Sequence, residues 1–331
     1  MNLIMWRLLL QKIFSKILSF TITFLGITII SFWVIHLAPG SPTDLQTTLN
    51  PKASSEARER LLKLYGLDKP LHVQYVEWLK RVIHFDFGNS LSGDHRPVWE
   101  KIKERLPLTL TLNAVSLFLV FILAIPIGIL SAVYVNSWFD KLMTVFVFIG
   151  FSIPSFWLAL LLILGLSIWL PIFPISGLTS LGFESFTFWE KCLDLARHLA
   201  LPVFVFTLTG LAGFSRYMRA SMLEILGQDF ILLARAKGLP YWRVVLKHAG
   251  KNALLPIITI LGLSVPGLIG GSVIVESIFA LPGLGQLFYQ AVMARDYPLI
   301  LGNLVLGAIL TLIGNFLADV GYTLVDPRTR K

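Results

Sequence analysis

The sequence predicts an all-α membrane protein with about six transmembrane helices, and three observations carry that expectation. Of its 331 residues, 55% are hydrophobic and only 14% are charged, against roughly 25% charged in soluble domains. The mean hydropathy is +0.75. The apolar residues also fall in runs of about 20 or more, the length at which a helix crosses a bilayer while pairing every backbone amide within its own segment.

Six runs meet that requirement, near residues 13–38, 107–133, 142–170, 198–219, 254–278 and 299–323. The first follows "MNLIMWRLLLQKIFSK". Its apolar run exceeds the roughly 7–15 residues of a signal peptide and no small-residue cleavage site follows, so it is expected to stay as an anchor. The segment 39–106 has the texture of a soluble protein: "SSEARERLLKLYGLDKP" offers Ser54 or Ser55 as an N-cap, Gly66 as a stop and then Pro70. Val73, Val76, Leu79 or Lys80, and Ile83 follow at helical spacing. A helical subdomain is expected there, far longer than a connection of about 4–6 residues, as a docking or capping element.

In the third run Pro154 of "GFSIPSFW" breaks the hydrogen-bond ladder and predicts a kink, putting Ser152, Pro154 and Ser155 together. The fourth is the least regular, because Pro202, Gly210 and Gly213 interrupt it, although such residues are common in membrane helices. The fifth contains Gly267 and Gly271 four apart, with Gly262, Gly270 and Ser272 nearby, a spacing that lets helices approach closely. Pro266 breaks its hydrogen-bond ladder and predicts a kink around a cavity. In the sixth, Asn315, Asp319, Tyr322 and Asp326 step along one helical face. An acid near the interface fits a gate-lining or packing residue, with a proton relay as the alternative. The candidate translocation path or gate is therefore Ser152, Pro154, Ser155, Pro266, Gly270, Ser272, Asn315 and Asp319, and helix packing explains the same small residues.

Orientation follows from Lys and Arg. With the N-terminus inside, the inner segments hold fourteen and the two shorter outer loops three. The other eleven lie in the long outer segment, which translocates largely regardless of charge. Both termini are thus expected in the cytoplasm of a bacterial-type inner membrane. The net charge of +9 sits mainly on that inner side, where topology places it, so no nucleic-acid partner is expected. The single Cys192 forms no intrachain disulfide.

Catalytic signatures are absent. There is no G-x-x-x-x-G-K-[ST] nucleotide loop, no H-E-x-x-H and no G-x-S-x-G. The six His residues show no pair at metal-ligand spacing. No enzyme, metal or resident cofactor is expected.

The inner loop 220–252 is basic and broken. Leu223, Leu226, Phe230 and Leu233 form an expected apolar face ending in Arg235 and Lys237, and Gly238 and Pro240 stop the helix. Pro240 can also open the next helix at its first position, and Tyr241 and Trp242 mark the return to the membrane interface. Two readings stay open on composition: an interfacial amphipathic helix or a stiff element fitting a protein socket.

The stretch "DFILLARAKGLPYWRVVLKHAGKNALLP" resembles the EAA-type loop of ABC importer permeases, in the form found in the dipeptide and oligopeptide subfamily. "LAPGSPTD", "YGLDKPLHVQYVEWL", "FGNSLSGDHRPV", "ERLPLTLTLN", "SIPSFWLALLLI", "VESIFALPGLGQLFYQAVMARDYPLI" and "DPRTR" extend the likeness over nearly the whole chain. The resemblance implies a type I importer permease fold in three parts: residues 1–38, an extracytoplasmic helical insertion at 39–106, and a permease core at 107–331. It implies a second, similar permease, two cytoplasmic ATPase subunits that bind ATP and Mg, and an extracytoplasmic binding protein that delivers a peptide. Relatives of that subfamily also take nickel chelates, glutathione or oligosaccharides. An ion-coupled secondary transporter is the rival class. Carried over by motif, the ATPase-coupling segment is Asp229, Ala234, Arg235, Ala236, Lys237 and Gly238, with Leu239 and Pro240 closing the turn. The general Glu-Ala-Ala triplet is not kept, since Leu232, Leu233 and Ala234 stand there.

Overall fold

The computed structural model describes residues 2–37, 68–264 and 273–325. The expected cap at Ser54 or Ser55, the stop at Gly66, and Pro266, Gly267, Gly270, Gly271, Ser272 and Asp326 lie outside the described residues. The described elements are helical, with no strand among them. They are α1 (Asn2–Leu37), α2 (Leu71–Ile83), α3 (Val98–Val133), α4 (Trp138–Ser152), α5 (Ser155–Leu162) and α6 (Phe188–Leu226). There follow α7 (Asp229–Ala236), α8 (Tyr241–Arg243), α9 (Lys251–Ser264), α10 (Val273–Ile278), α11 (Leu284–Met293) and α12 (Tyr297–Val325). A π-helical turn, Ile163–Trp169, continues α5, and another, Val244–Gly250, joins α8 to α9.

Four described helices are long and apolar enough to cross a membrane, at Leu18–Leu37, Val98–Val133, Phe188–Leu226 and Tyr297–Phe316. The run expected as one span at 142–170 is built from two helices, α4 and α5 with its π turn, bent by 99°. Pro154 explains the break. It has no N–H to continue the ladder and drives Ile153 into an extended conformation, with φ −78 and ψ 121. By contrast the run with Pro202, Gly210 and Gly213 is one continuous helix of 39 residues, about 58 Å long at 1.5 Å per residue. That is about twice the hydrocarbon thickness, so its charged end, with Arg216, Arg219 and Glu224, extends past the core. Thr187 and Glu190 start it with a capping box.

The chain divides into two compact units, Met1–Leu106 with Leu287–Leu312, and Pro107–Gln286 with Ile313–Lys331. In the first, α2 forms where the spacing predicts it but presents another face. Trp78 and Val82 are buried, whereas Val76 and Ile83 are exposed. Aromatic rings bury the most area and decide the register: Phe32 of α1 lies 5.4 Å from Tyr75 and 5.7 Å from Trp78, centroid to centroid. The Tyr75 and Thr28 hydroxyls meet at 3.0 Å.

A polar knot holds the loop before α3. Asp296, 1% exposed, caps α12 by accepting from the Leu299 amide at 3.2 Å. Its carboxylate also accepts from the Ser90 hydroxyl and from the Ser92 amide. Lys101 donates to Ser90 at 2.9 Å and Ser92 at 2.6 Å, and pairs with Asp94 at 2.7 Å. That ammonium holds the Asp94 carboxyl down at about 2.

In the second unit a core beneath α7 joins Ile129 and Ala132 of α3, Met218 and Met222 of α6, and Ile231 and Ala234 of α7 to Val244, Val245 and Ala249 of the π turn. Gly128 admits α6 here: a Cβ on it would stand 2.5 Å from that of Met218. Another core joins Leu112, Leu158, Ala159, Leu201, Val205 and Val275.

Candidate functional site

The helix α6 ends at Leu226, and Gly227 and Gln228 break the chain before α7 begins. Gln228 is extended, with φ −79 and ψ 150, and its carbonyl accepts from the Ile231 amide at 3.0 Å. Asp229 lies in the first turn of α7 and Arg235 in the last, each sign suited to its end of the helix dipole. Beyond Ala236, the Gly238 amide donates to the Arg235 carbonyl at 2.9 Å. Gly238 has φ +71, the left-handed conformation that commonly closes a helix and that glycine adopts without a Cβ penalty.

Pro240 lies one position before α8 rather than at its first residue, and its carbonyl accepts from Arg243 and Val244. The Arg235 guanidinium lies 5.8 Å from the Tyr241 ring, within the range of a cation–π contact. Gly238 and Pro240 thus stop α7 as the sequence predicts, with the turn held by backbone bonds.

The apolar face is different from the one expected. Phe230 and Leu233 are 43% and 57% exposed, while Ile231 and Ala234 are 0% and 6% exposed. The interruption at Gly227–Gln228 is the cause: the 3.6-residue phase of α6 does not carry into α7, so the inward positions of α7 are set afresh. What faces outward is Phe230, Leu232 and Leu233 beside Asp229, Arg235, Ala236 and Lys237, all exposed. Leu239 is half-buried against the core and Pro240 is exposed.

Of the candidate path residues, the structure brings Ser152, Pro154 and Ser155 together at the bend between α4 and α5. A cavity of about 450 Å³ opens there, lined by Val145, Phe148, Ile149, Ser152, Ile153, Pro154 and Trp157. Asn315 is exposed on α12. Asp319 falls within the same helix, and its side chain lies outside the description.

Asp140 and Glu276 are among the charged positions that escaped the sequence reading. Asp140, 4% exposed, accepts two bonds of 2.8 Å from the guanidinium of Arg219. Ser137 accepts from the Asp140 amide at 3.3 Å. That Ser-x-x-Asp spacing was readable as a helix start, whereas the pairing with a residue 79 positions away was not. Glu276, 1% exposed, accepts from the Gly285 and Gln286 amides at 2.7 and 3.1 Å and from the Thr109 hydroxyl at 3.1 Å. It caps α11 in place of Gly283, which has no side chain to do so.

Among the described residues the chain is all-α, with long apolar spans and between them the short helix α7, closed by a Gly-centred turn. It belongs to the family of binding-protein-dependent transport system inner membrane components, whose model matches residues 124–331, and whose N-terminal model matches residues 5–113. It is similar to the oligopeptide transport system permease protein AppB of Bacillus subtilis (strain 168), with 46% identity over 304 residues, 92% of this chain and 94% of that one. It is also similar to the dipeptide transport system permease protein DppB of Escherichia coli (strain K12), with 36% identity over 338 residues, 97% of this chain and 99% of that one. The family makes the chain one part of a multi-component transport system in the inner membrane.

Proposed function

We propose that the chain is the membrane-embedded permease subunit of an ATP-driven importer that moves short peptides into the cytoplasm by alternating access. The observation that carries this reading is the two-sidedness of α7. One face is locked into the protein through Ile231 and Ala234. The other offers Phe230, Leu232, Leu233, Arg235 and Lys237 to a partner. A chain without a nucleotide loop couples to ATP only through such a partner, and a short helix closed by a rigid turn transmits its motion.

In this reading α7 and the turn at Gly238–Pro240 sit in a groove of a cytoplasmic ATPase. Two such ATPases carry ATP and Mg, a second similar permease completes the pathway, and an extracytoplasmic binding protein delivers the peptide to the segment 39–106. No cofactor resides in this chain. Both termini and the α7 loop lie in the cytoplasm, as the Lys and Arg distribution expects. The names of the oligopeptide and dipeptide permeases above support the peptide as cargo, and the bend at Ser152, Pro154 and Ser155 is a described part of the candidate path.

The test is to purify the tagged chain from its own membrane and reconstitute what comes with it. The reading expects two copies of an ATPase and a second permease, with hydrolysis stimulated by the binding protein and its peptide. Calorimetry of that binding protein with di- and oligopeptides, nickel chelates, glutathione and oligosaccharides identifies the cargo. Recovery of the chain alone, with ion-driven uptake, would refute the importer.

A further inference from the structure

The structure assigns Asp140 and Arg219 a role beyond local packing: they clamp α4 to α6, so that displacement of α7 is carried to the bend at Ile153–Pro154. This inference rests on the ATP-driven importer reading. Its first link is the core under α7, where Ile231 and Ala234 pack with Met218 and Met222 of α6. A shift of α7 therefore moves the end of α6 that carries Arg216 and Arg219.

The second link is the clamp. Arg219 Nε donates to one Asp140 oxygen and a terminal guanidinium nitrogen to the other, both at 2.8 Å. This planar, two-bond fork fixes orientation as well as distance, which a lysine cannot do. Asp140 accepts a third bond, from the Asn136 amide at 3.0 Å, so the turn before α4 is held as well. The Asp140 side chain is 5% exposed, and opening the fork would leave a buried carboxylate short of its partner.

The contacts continue along both helices. Arg216, one turn from Arg219, lies 5.1 Å from the Phe148 ring of α4. Gly150 of α4 lies against Leu208 of α6, where an added Cβ would come within 2.9 Å of the side chain. As α4 runs from 140 to 150, its partners on α6 run from 219 back to 208, so the two antiparallel helices are gripped at three levels. Beyond Gly150 α4 ends at Ser152, and Phe148 and Ser152 line the cavity at the bend. Asp140 and Arg219 are thus positioning residues that let α4 ride with α6.

The experiment uses the full reconstituted complex, with Cys192→Ser and spin labels at Leu142→Cys on α4 and Glu224→Cys on α6, both exposed positions. Distances are measured at rest and after trapping with ATP and vanadate. The clamp expects the same distance in both states, while Arg219→Gln and Arg219→Lys move or broaden it by about 2 Å or more only on trapping. The exchange Asp140→Arg with Arg219→Asp restores the invariance. A distance that changes on trapping in the otherwise native chain overturns the clamp. So does an Arg219→Gln distance unchanged in both states, or altered equally in both, which marks a static tie. A complex that hydrolyses ATP and gives these results fails the clamp alone. Absence of any ATPase from the complex fails the importer reading and the clamp with it.

Discussion

Gly238 shows how much one residue's backbone can specify. A Cβ built there meets nothing within 4 Å, yet φ is +71. The space is open, so the obstacle to a larger residue is the left-handed conformation, which costs an L-residue roughly 1–2 kcal/mol. Gly238→Leu is therefore expected to loosen the α7 turn and uncouple ATP hydrolysis from uptake. Gly238→Asn should retain most coupling, since asparagine tolerates that region. Uptake per ATP in proteoliposomes separates the two, and equal loss in both variants would point to size rather than strain.

Asp94 gives a pH prediction at the same scale. Its carboxyl is lowered from 3.8 to about 2, first by the bond from Lys101. A depressed carboxyl stabilises the fold fully above its unfolded value, and that contribution fades as pH falls through the folded one. The melting-temperature difference between the natural chain and Asp94→Asn should hold above about pH 4, shrink as pH falls towards 2 and vanish only below the folded value of about 2. A difference as large at pH 2 as at pH 5 would show that charge is not its source.

At the scale of elements, breaks matter more than periodicity. The spacing of Leu223, Leu226, Phe230 and Leu233 is a sound helical pattern, but two helices share it. Gln228 turns extended between them, and Ile231 takes the inward place. Ile231→Ala should destabilise the loop by about 2–5 kcal/mol, the range for emptying a filled site. Phe230→Ala, on the exposed face, should leave thermal stability nearly unchanged and weaken ATPase binding instead. Thermal unfolding in detergent and co-purification of the ATPase measure the two effects. The bend between α4 and α5 was legible as Pro154 in "GFSIPSFW", though its 99° angle was not. Pro202 lies within the unbroken α6, because neighbouring helices can accommodate the freed backbone groups.

For the whole molecule, orientation is the open physical consequence. Cys192 is the sole cysteine and is exposed near the start of α6, at the outer end if the termini are inside. A membrane-impermeant maleimide should label it in right-side-out vesicles. In a Cys192→Ser background, Lys237→Cys at the other end of the α6–α7 segment should be labelled only in inside-out vesicles. Labelling of both from the same side would overturn the topology.

The sequence by itself determined the helical membrane class, the basic loop with its Gly–Pro stop, and the lack of a nucleotide-loop motif. These depend on composition, run length and backbone chemistry, which are local properties. Tertiary structure alone decided which faces of α2 and α7 are buried and how sharply Pro154 bends the chain. It also decided which distant charges meet, with Asp140 finding Arg219 and Glu276 capping α11. Such pairings depend on which surfaces come within a few ångströms across long stretches of chain, and no periodicity in a single segment encodes that.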